Sequence, residues 1–271
     1  MISVEIPTLG EPTLQAALES VRRQTLQDYE VLVLDSSPGF SASDVARSYG
    51  ARVIRARCGL LRARYELHAA SRGDHALLLD ATRLLRRDAL EILRGTRWEM
   101  VVLAEREART GPLSGAIDLD RRLAVESALV DREAIDAYVL PRYFSSRLLS
   151  RAMDAVRAEL GGDFDRIVGE DHRMIFLEAR RISGSIGIVE DPLILHVGDG
   201  GVRGILRKQI RYGRSAAVAA GHYAEIGRRR PRSARGVGAG ELAGLYLLYA
   251  VQLAGHSIGY LAGIVGGGGS V

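Results

Sequence analysis

Asparagine is absent from the 271 residues, lysine occurs once, at Lys208, and cysteine once, at Cys58. A single thiol excludes an intramolecular disulfide and fits a reducing compartment. The other cationic side chains are all arginine. Scarcity of Asn and Cys is compatible with a heat-loving source, and equally with a GC-rich genome. Aromatics make up only 6% of the chain, so aliphatic packing dominates. No charged segment followed by an apolar one opens the sequence, and a first strand begins at Ile2, so no secretory signal is expected. With 47% hydrophobic residues, the length suffices for one large core, or one core with a small appendage.

The net charge of +4 is unevenly spread. Ten basic residues and one acid, Glu225, lie between Arg203 and Arg235, so that segment carries +9 and the remainder −5. It is followed by Leu242 to Val265, 24 positions without Asp, Glu, Lys or Arg. That exceeds the roughly 20 residues that cross a bilayer. A buried core helix is the alternative, because Gln252, His256 and several glycines dilute the run. Basic residues beside an apolar stretch favour a membrane with a cytoplasmic flank. The arginine block lacks the interleaved aromatics of a stacking platform, so no nucleic-acid partner is expected.

Strands and helices alternate through the first hundred residues. Apolar runs begin at Ile2, Tyr29, Ala51, His75 and Trp98, separated by helical patterns such as Leu14, Leu18 and Val21. This predicts an α/β fold, a doubly wound and mostly parallel sheet with helices on both faces. Ligands bind beyond the carboxyl ends of such strands, where Pro7, Thr8, Asp35 and Asp80 fall. Residues 106–169 are read as mainly helical, and "GEDHRM" as a helix with Glu170 and Asp171 in its first turn. The chain divides into a catalytic unit (1–200), a basic interfacial segment (201–240) and a membrane-associated helix and tail (241–271).

The ordered pieces "SVEIPTLG", "SVRRQT", "YEVLVLDSS", "LLRARYE", "LLLDA" and "GEDHRM" resemble the signature of family-2 inverting glycosyltransferases of GT-A fold. They cover Ser3 to Asp171, more than half the chain. "KQIRYGR" is similar to the Gln-rich motif of cellulose-synthase-like members. With the apolar C-terminal stretch, the chain resembles a minimal membrane-attached relative, such as the archaeal mannosyltransferases that build lipid-linked glycans.

The resemblance implies roles, and each residue also has a plainer reading. Pro7, Thr8 and Glu11 would line the nucleotide-sugar site. Asp35 would accept from a nucleoside, or else cap a turn with Ser36 and Ser37. Asp80 would hold Mn²⁺ or Mg²⁺ on the diphosphate, or else cap a helix. Family members have Asp-x-Asp here; this chain has Asp80-Ala81-Thr82, so the second acid is missing. His196 is a replacement ligand, or an ordinary loop histidine. Asp171 would be the general base, oriented by Glu170, or the two are solvated first-turn acids. Arg62 and Arg64 would meet phosphate, or lie on the surface. Gln209, Arg211 and Tyr212 would close the entrance, or rest on lipid headgroups.

The resulting expectation is inverting transfer of a hexose onto a lipid-linked acceptor, with mannose from GDP-mannose as first choice. The enzyme would sit at the cell membrane with its catalytic part cytoplasmic. The alternative is a non-catalytic nucleotide-sugar-binding relative acting as a membrane scaffold.

Overall fold

The computed structural model describes residues 1–135, 139–226 and 236–265. Strands β1 (Ile2–Thr8), β2 (Tyr29–Asp35), β3 (Arg52–Arg55), β4 (His75–Leu78), β5 (Arg83–Leu85), β6 (Met100–Glu107), β7 (Pro141–Ser145) and β8 (Ile186–His196) form one sheet. Its order is β3-β2-β1-β4-β7-β6-β8-β5. The half containing β1 to β4 is parallel, as the alternating strand and helix pattern predicts. The other half is mixed: β7 runs antiparallel to both β4 and β6, and β5 antiparallel to β8.

The two-residue period of the strands sorts their side chains between two cores. Ala76, Leu78, Met100 and Val102 face one cluster, beneath α6 (Ser146–Leu160) and α7 (Asp171–Ile182). Leu77, Leu79, Val101 and Leu103 face the other, where α1 (Leu14–Arg22) buries Leu14, Leu18 and Val21. Helices α2 (Ser43–Ser48), α3 (Leu60–Ala70) and α4 (Ala89–Arg94) complete the cover.

The middle of the chain departs from the helical reading. Helix α5 (Ser114–Val130) is present, but residues 141–145 are strand β7, inserted at the centre of the sheet. Pro141 sits where the β6–β7 register shifts, a place where its missing N–H costs no regular ladder bond.

Beyond β8 come α8 (Val202–Ala219) and α9 (Ala239–Val265). Their backbones approach at glycines: a Cβ on Gly259 would lie 2.0 Å from the Ile210 carbonyl oxygen, and one on Gly213 2.1 Å from that of His256. Leu245 and Leu248 of α9 join Leu113, Ile117 and Leu123 of α5 in a further apolar cluster. Tyr249 also donates to the buried Asp120 at 2.7 Å. Helix α9 is long and apolar enough to cross a membrane by length and composition, yet one of its faces is docked on the protein. The outward face exposes Tyr246, Leu247, Leu253, Ile258, Leu261 and Ile264. Arg228, Arg229, Arg230, Arg232, Arg235 and the terminal glycines lie outside the described residues.

Candidate active site

Two adjoining cavities open at the carboxyl ends of β1 and β4. The larger, about 430 Å³, is lined by Pro7, Thr8, Glu11, Asp80, Thr82 and His196, and closed by Arg211 and Tyr212 of α8. The smaller, about 160 Å³, holds Arg64, Arg142, Glu170, Asp171 and Gln209. Asp80, Arg83, Lys208 and Tyr212 line both. A broader groove of about 990 Å³ between α1 and the β5–β8 edge contains none of these carboxylates.

At the mouth of the larger cavity the β1 turn is tied internally. Thr8 donates to Glu11 at 2.6 Å, and the Leu9 N–H to the same carboxylate at 2.9 Å. Asp35 is fully buried and does not line either cavity. It accepts from the Ser37 N–H and hydroxyl at 2.9 and 2.6 Å and from Ser43 at 2.7 Å, the geometry of a turn cap. Burial would raise its carboxyl pKa, but these bonds outweigh burial and lower it. Its neighbour Ser36 reaches the cavity. Arg62 lines neither cavity; it is paired with Glu66 at 2.6 Å on the surface of α3.

Asp80 follows β4 and opens a tight turn, closed by the Arg83 N–H donating to its carbonyl at 3.0 Å. Its carboxylate meets three guanidinium groups: Arg64 Nη2 at 2.5 Å on one oxygen, Arg83 and, at 3.5 Å, Arg142 on the other. Burial alone would push this carboxyl up; the arginines hold it well below its usual range. Arg64 is 1% exposed and its Nε donates at 2.5 Å to Asp171, so one side chain bridges the two acids. The same guanidinium overcomes burial at Asp171 and lowers its pKa.

The network continues outward. Arg83 and Arg142 also pair with Glu105, which pairs with Arg121, which reaches Glu107. Glu107 accepts from His196 Nδ1 at 2.7 Å. Burial, aided by Arg83, drives the His196 pKa to about 4, and burial with Arg64 and Arg142 drives that of His172 to about 3. Both imidazoles are therefore neutral at pH 7, and His196 keeps a lone pair on Nε2. Four arginines thus balance four carboxylates in a buried chain.

Glu170 is the N-cap of α7 and adopts a left-handed conformation, φ 63°. A non-glycine residue there is strained, and such strain gathers at functional sites. Gly169 before it is dictated by packing: a Cβ would lie 2.6 Å from the Tyr212 ring.

A divalent ion needs free lone pairs in a ring of donors. Asp80 spends both oxygens on arginines, Thr82 offers a hydroxyl, and among the described residues no three His, Cys, Asp or Glu side chains gather to hold a metal. The donor set arranged here does not fit a protein-built ion site. Arg83, Arg142 and Lys208 were not singled out from the sequence. A buried guanidinium in a five-residue strand has no pattern to betray it, but the lone lysine in an arginine-only chain was a visible signal.

Residues 3–95 match the model for "Glycosyl transferase family 2". No curated protein matches the chain. Among solved structures, mannosyltransferase PcManGT from Pyrobaculum calidifontis, in complex with GDP-Man and Mn²⁺, aligns at 17% identity and TM-score 0.58, over 100% of this chain and 76% of that one. S. aureus TarS 1–349 with UDP-GlcNAc aligns at 13% identity and TM-score 0.53, over 98% of this chain and 92% of that one. The chain spans 55% of the longer TarS structure. These distant likenesses concern the fold alone. The matched segment carries β1 to β4 and the acid at their ends, so this part of the chain matches family-2 glycosyltransferases, and the fold around it is of GT-A type.

Proposed function

We propose that this enzyme transfers a hexose, with inversion, onto a lipid-linked acceptor, and that GDP-mannose is the first donor to test. The observation that carries the reading is the join of the two cavities at Asp80 and Arg83, with Asp171 in the smaller one. A donor diphosphate in the larger cavity leaves the smaller for the acceptor. In the transfer, an acceptor oxygen forms its bond to the anomeric carbon as the bond to the β-phosphate oxygen breaks. The electron pair leaves with the phosphate, and Asp171 takes the acceptor proton. Glu170 and Arg64 fix the position of that carboxylate. The nearest charge holds Asp171 ionised at neutral pH, ready to accept.

The donor choice rests on the fold shared with PcManGT, whose structure holds GDP-Man and Mn²⁺. Asp80 and His196, the ligands expected for Mn²⁺ or Mg²⁺, both line the larger cavity, but arginines occupy both oxygens of Asp80. The membrane reading rests on α9, whose outward face is apolar, beside the exposed Arg203, Arg207, Arg211 and Arg214 of α8. An apolar strip beside a cationic one suits an anionic lipid surface, and the same helix α8 lines both cavities. The cytoplasmic side is the one those charges favour.

The test is transfer in detergent from GDP-mannose, UDP-glucose and UDP-GlcNAc to a sugar hydroxyl of a polyprenyl-linked saccharide, with the anomeric configuration of the product read by NMR. An inverted product supports the proposal. A retained configuration removes Asp171 as the base, and absence of transfer from any donor favours the scaffold alternative.

A further inference from the structure

The buried chain of charge is balanced, so it brings no net positive charge to a donor. Arg64, Arg83, Arg121 and Arg142 are matched by Asp80, Glu105, Glu107 and Asp171. A nucleotide-sugar brings a doubly negative diphosphate, and departure of the sugar adds a third charge. A family member with two acids would meet that charge through a metal ion; here Thr82 stands at the second acid and Asp80 is neutralised.

Two cations face the larger cavity from α8, Lys208 and Arg211. Both are exposed, and among the described residues neither is ion-paired with a carboxylate. Their contacts are with one ring: Lys208 Nζ lies 5.5 Å and the Arg211 guanidinium 5.8 Å from the centroid of Tyr212. That ring is itself packed on Gly169, next to Glu170, so the two charges are anchored beside the catalytic turn. Arg83 stands opposite, at the junction of the cavities, its guanidinium shared between Asp80 and Glu105.

We propose that the donor diphosphate is held by Lys208 and Arg211, with Arg83 taking up the charge that develops on the leaving phosphate, in place of a divalent ion. Resting on the assignment of a nucleotide-sugar donor, this adds a substitute for the ion. The charges match: two unpaired cations meet two negative charges, and a third guanidinium adjoins the breaking bond. Phosphate oxygens are good acceptors for both side chains.

The test is calorimetric titration of GDP and UDP, with guanosine and uridine as uncharged controls, into the full chain in detergent, once in EDTA and once in Mn²⁺. The expected result is diphosphate affinity within about threefold in the two buffers. Lys208→Ala should weaken it about tenfold or more, the scale of a charge-assisted bond. Lys208→Arg should restore most of the loss, and nucleoside affinity should not move. Lys208 is exposed, so the variant keeps the fold, which its circular dichroism confirms. Binding that requires Mn²⁺, or that ignores Lys208→Ala, overturns the inference and leaves the glycosyltransferase assignment intact. Failure of both diphosphates to bind in either buffer removes the assignment on which it rests.

Discussion

Arg64→Met is the perturbation that reaches furthest into the site. The wild-type guanidinium is 1% exposed and serves Asp80 and Asp171 at once. Asp80 would keep Arg83 and Arg142. Among the described residues, Asp171, 8% exposed, would keep only His172 at 3.9 Å, which is neutral at pH 7. The variant therefore buries one carboxylate without a compensating charge. Removing one partner of a buried pair costs about 3–5 kcal/mol, and methionine fills much of the volume, so a cavity adds little. Urea unfolding in detergent at pH 7.5 should show that loss as a lower midpoint at unchanged slope. The loss should shrink toward pH 5, because an unpaired buried carboxyl has a raised pKa and protonates there. Arg64→Met with Asp171→Asn should recover about 1 kcal/mol or more, since neighbours in one network couple. A single variant within about 0.5 kcal/mol of wild type, or a double variant with no recovery, would refute the bridge.

Acid should destabilise the protein between pH 6.5 and 4. In the folded state His196 titrates near 4 rather than 6.5, so the unfolded chain binds the extra proton across that window and stability falls as pH falls. The contribution is about 3 kcal/mol; His172, drawn down to about 3, adds its own share, so His196→Gln should lessen but not abolish the fall of the urea midpoint over the same range. On α9, Leu247→Glu with Leu253→Glu and Leu261→Glu should leave unfolding nearly unchanged, since these residues are 54%, 68% and 63% exposed. The triple variant should wash off anionic vesicles in high salt, which the wild type should resist; equal retention would remove the membrane face. Gly259→Ala should cost about 1–3 kcal/mol by melting temperature, because its Cβ meets the Ile210 backbone oxygen at 2.0 Å.

Much of the catalytic half was legible because its signals are local. The strand runs ending at Thr8 and Asp35, and the one leading to Asp80, could be read from continuous apolar stretches; the helix start at Asp171 could be read too, while its proposed role came from the resemblance. Strand β7 was not, because it is five residues long and borrows its stability from β4 and β6 on either side. Arg142 entered the site with it. Arg64 was read as a phosphate contact among 36 arginines, but its bond to Asp171 joins positions 107 apart and leaves no trace in spacing. The apolar run of α9 was read as a membrane segment. Its inward face, packed by glycines on α8, could not be, since a glycine says nothing of which helix approaches it.

The central claim is that Asp171 takes the acceptor proton in a site that binds a nucleotide-sugar beside it. The direct measurement compares wild type and Asp171→Asn for transfer from the preferred nucleotide-sugar to a free sugar hydroxyl of a polyprenyl-linked saccharide, with nucleoside diphosphate affinity measured on the same samples. The account predicts a turnover loss of about 10²-fold or more at unchanged affinity. Near-normal turnover in Asp171→Asn, with affinity intact, would contradict it.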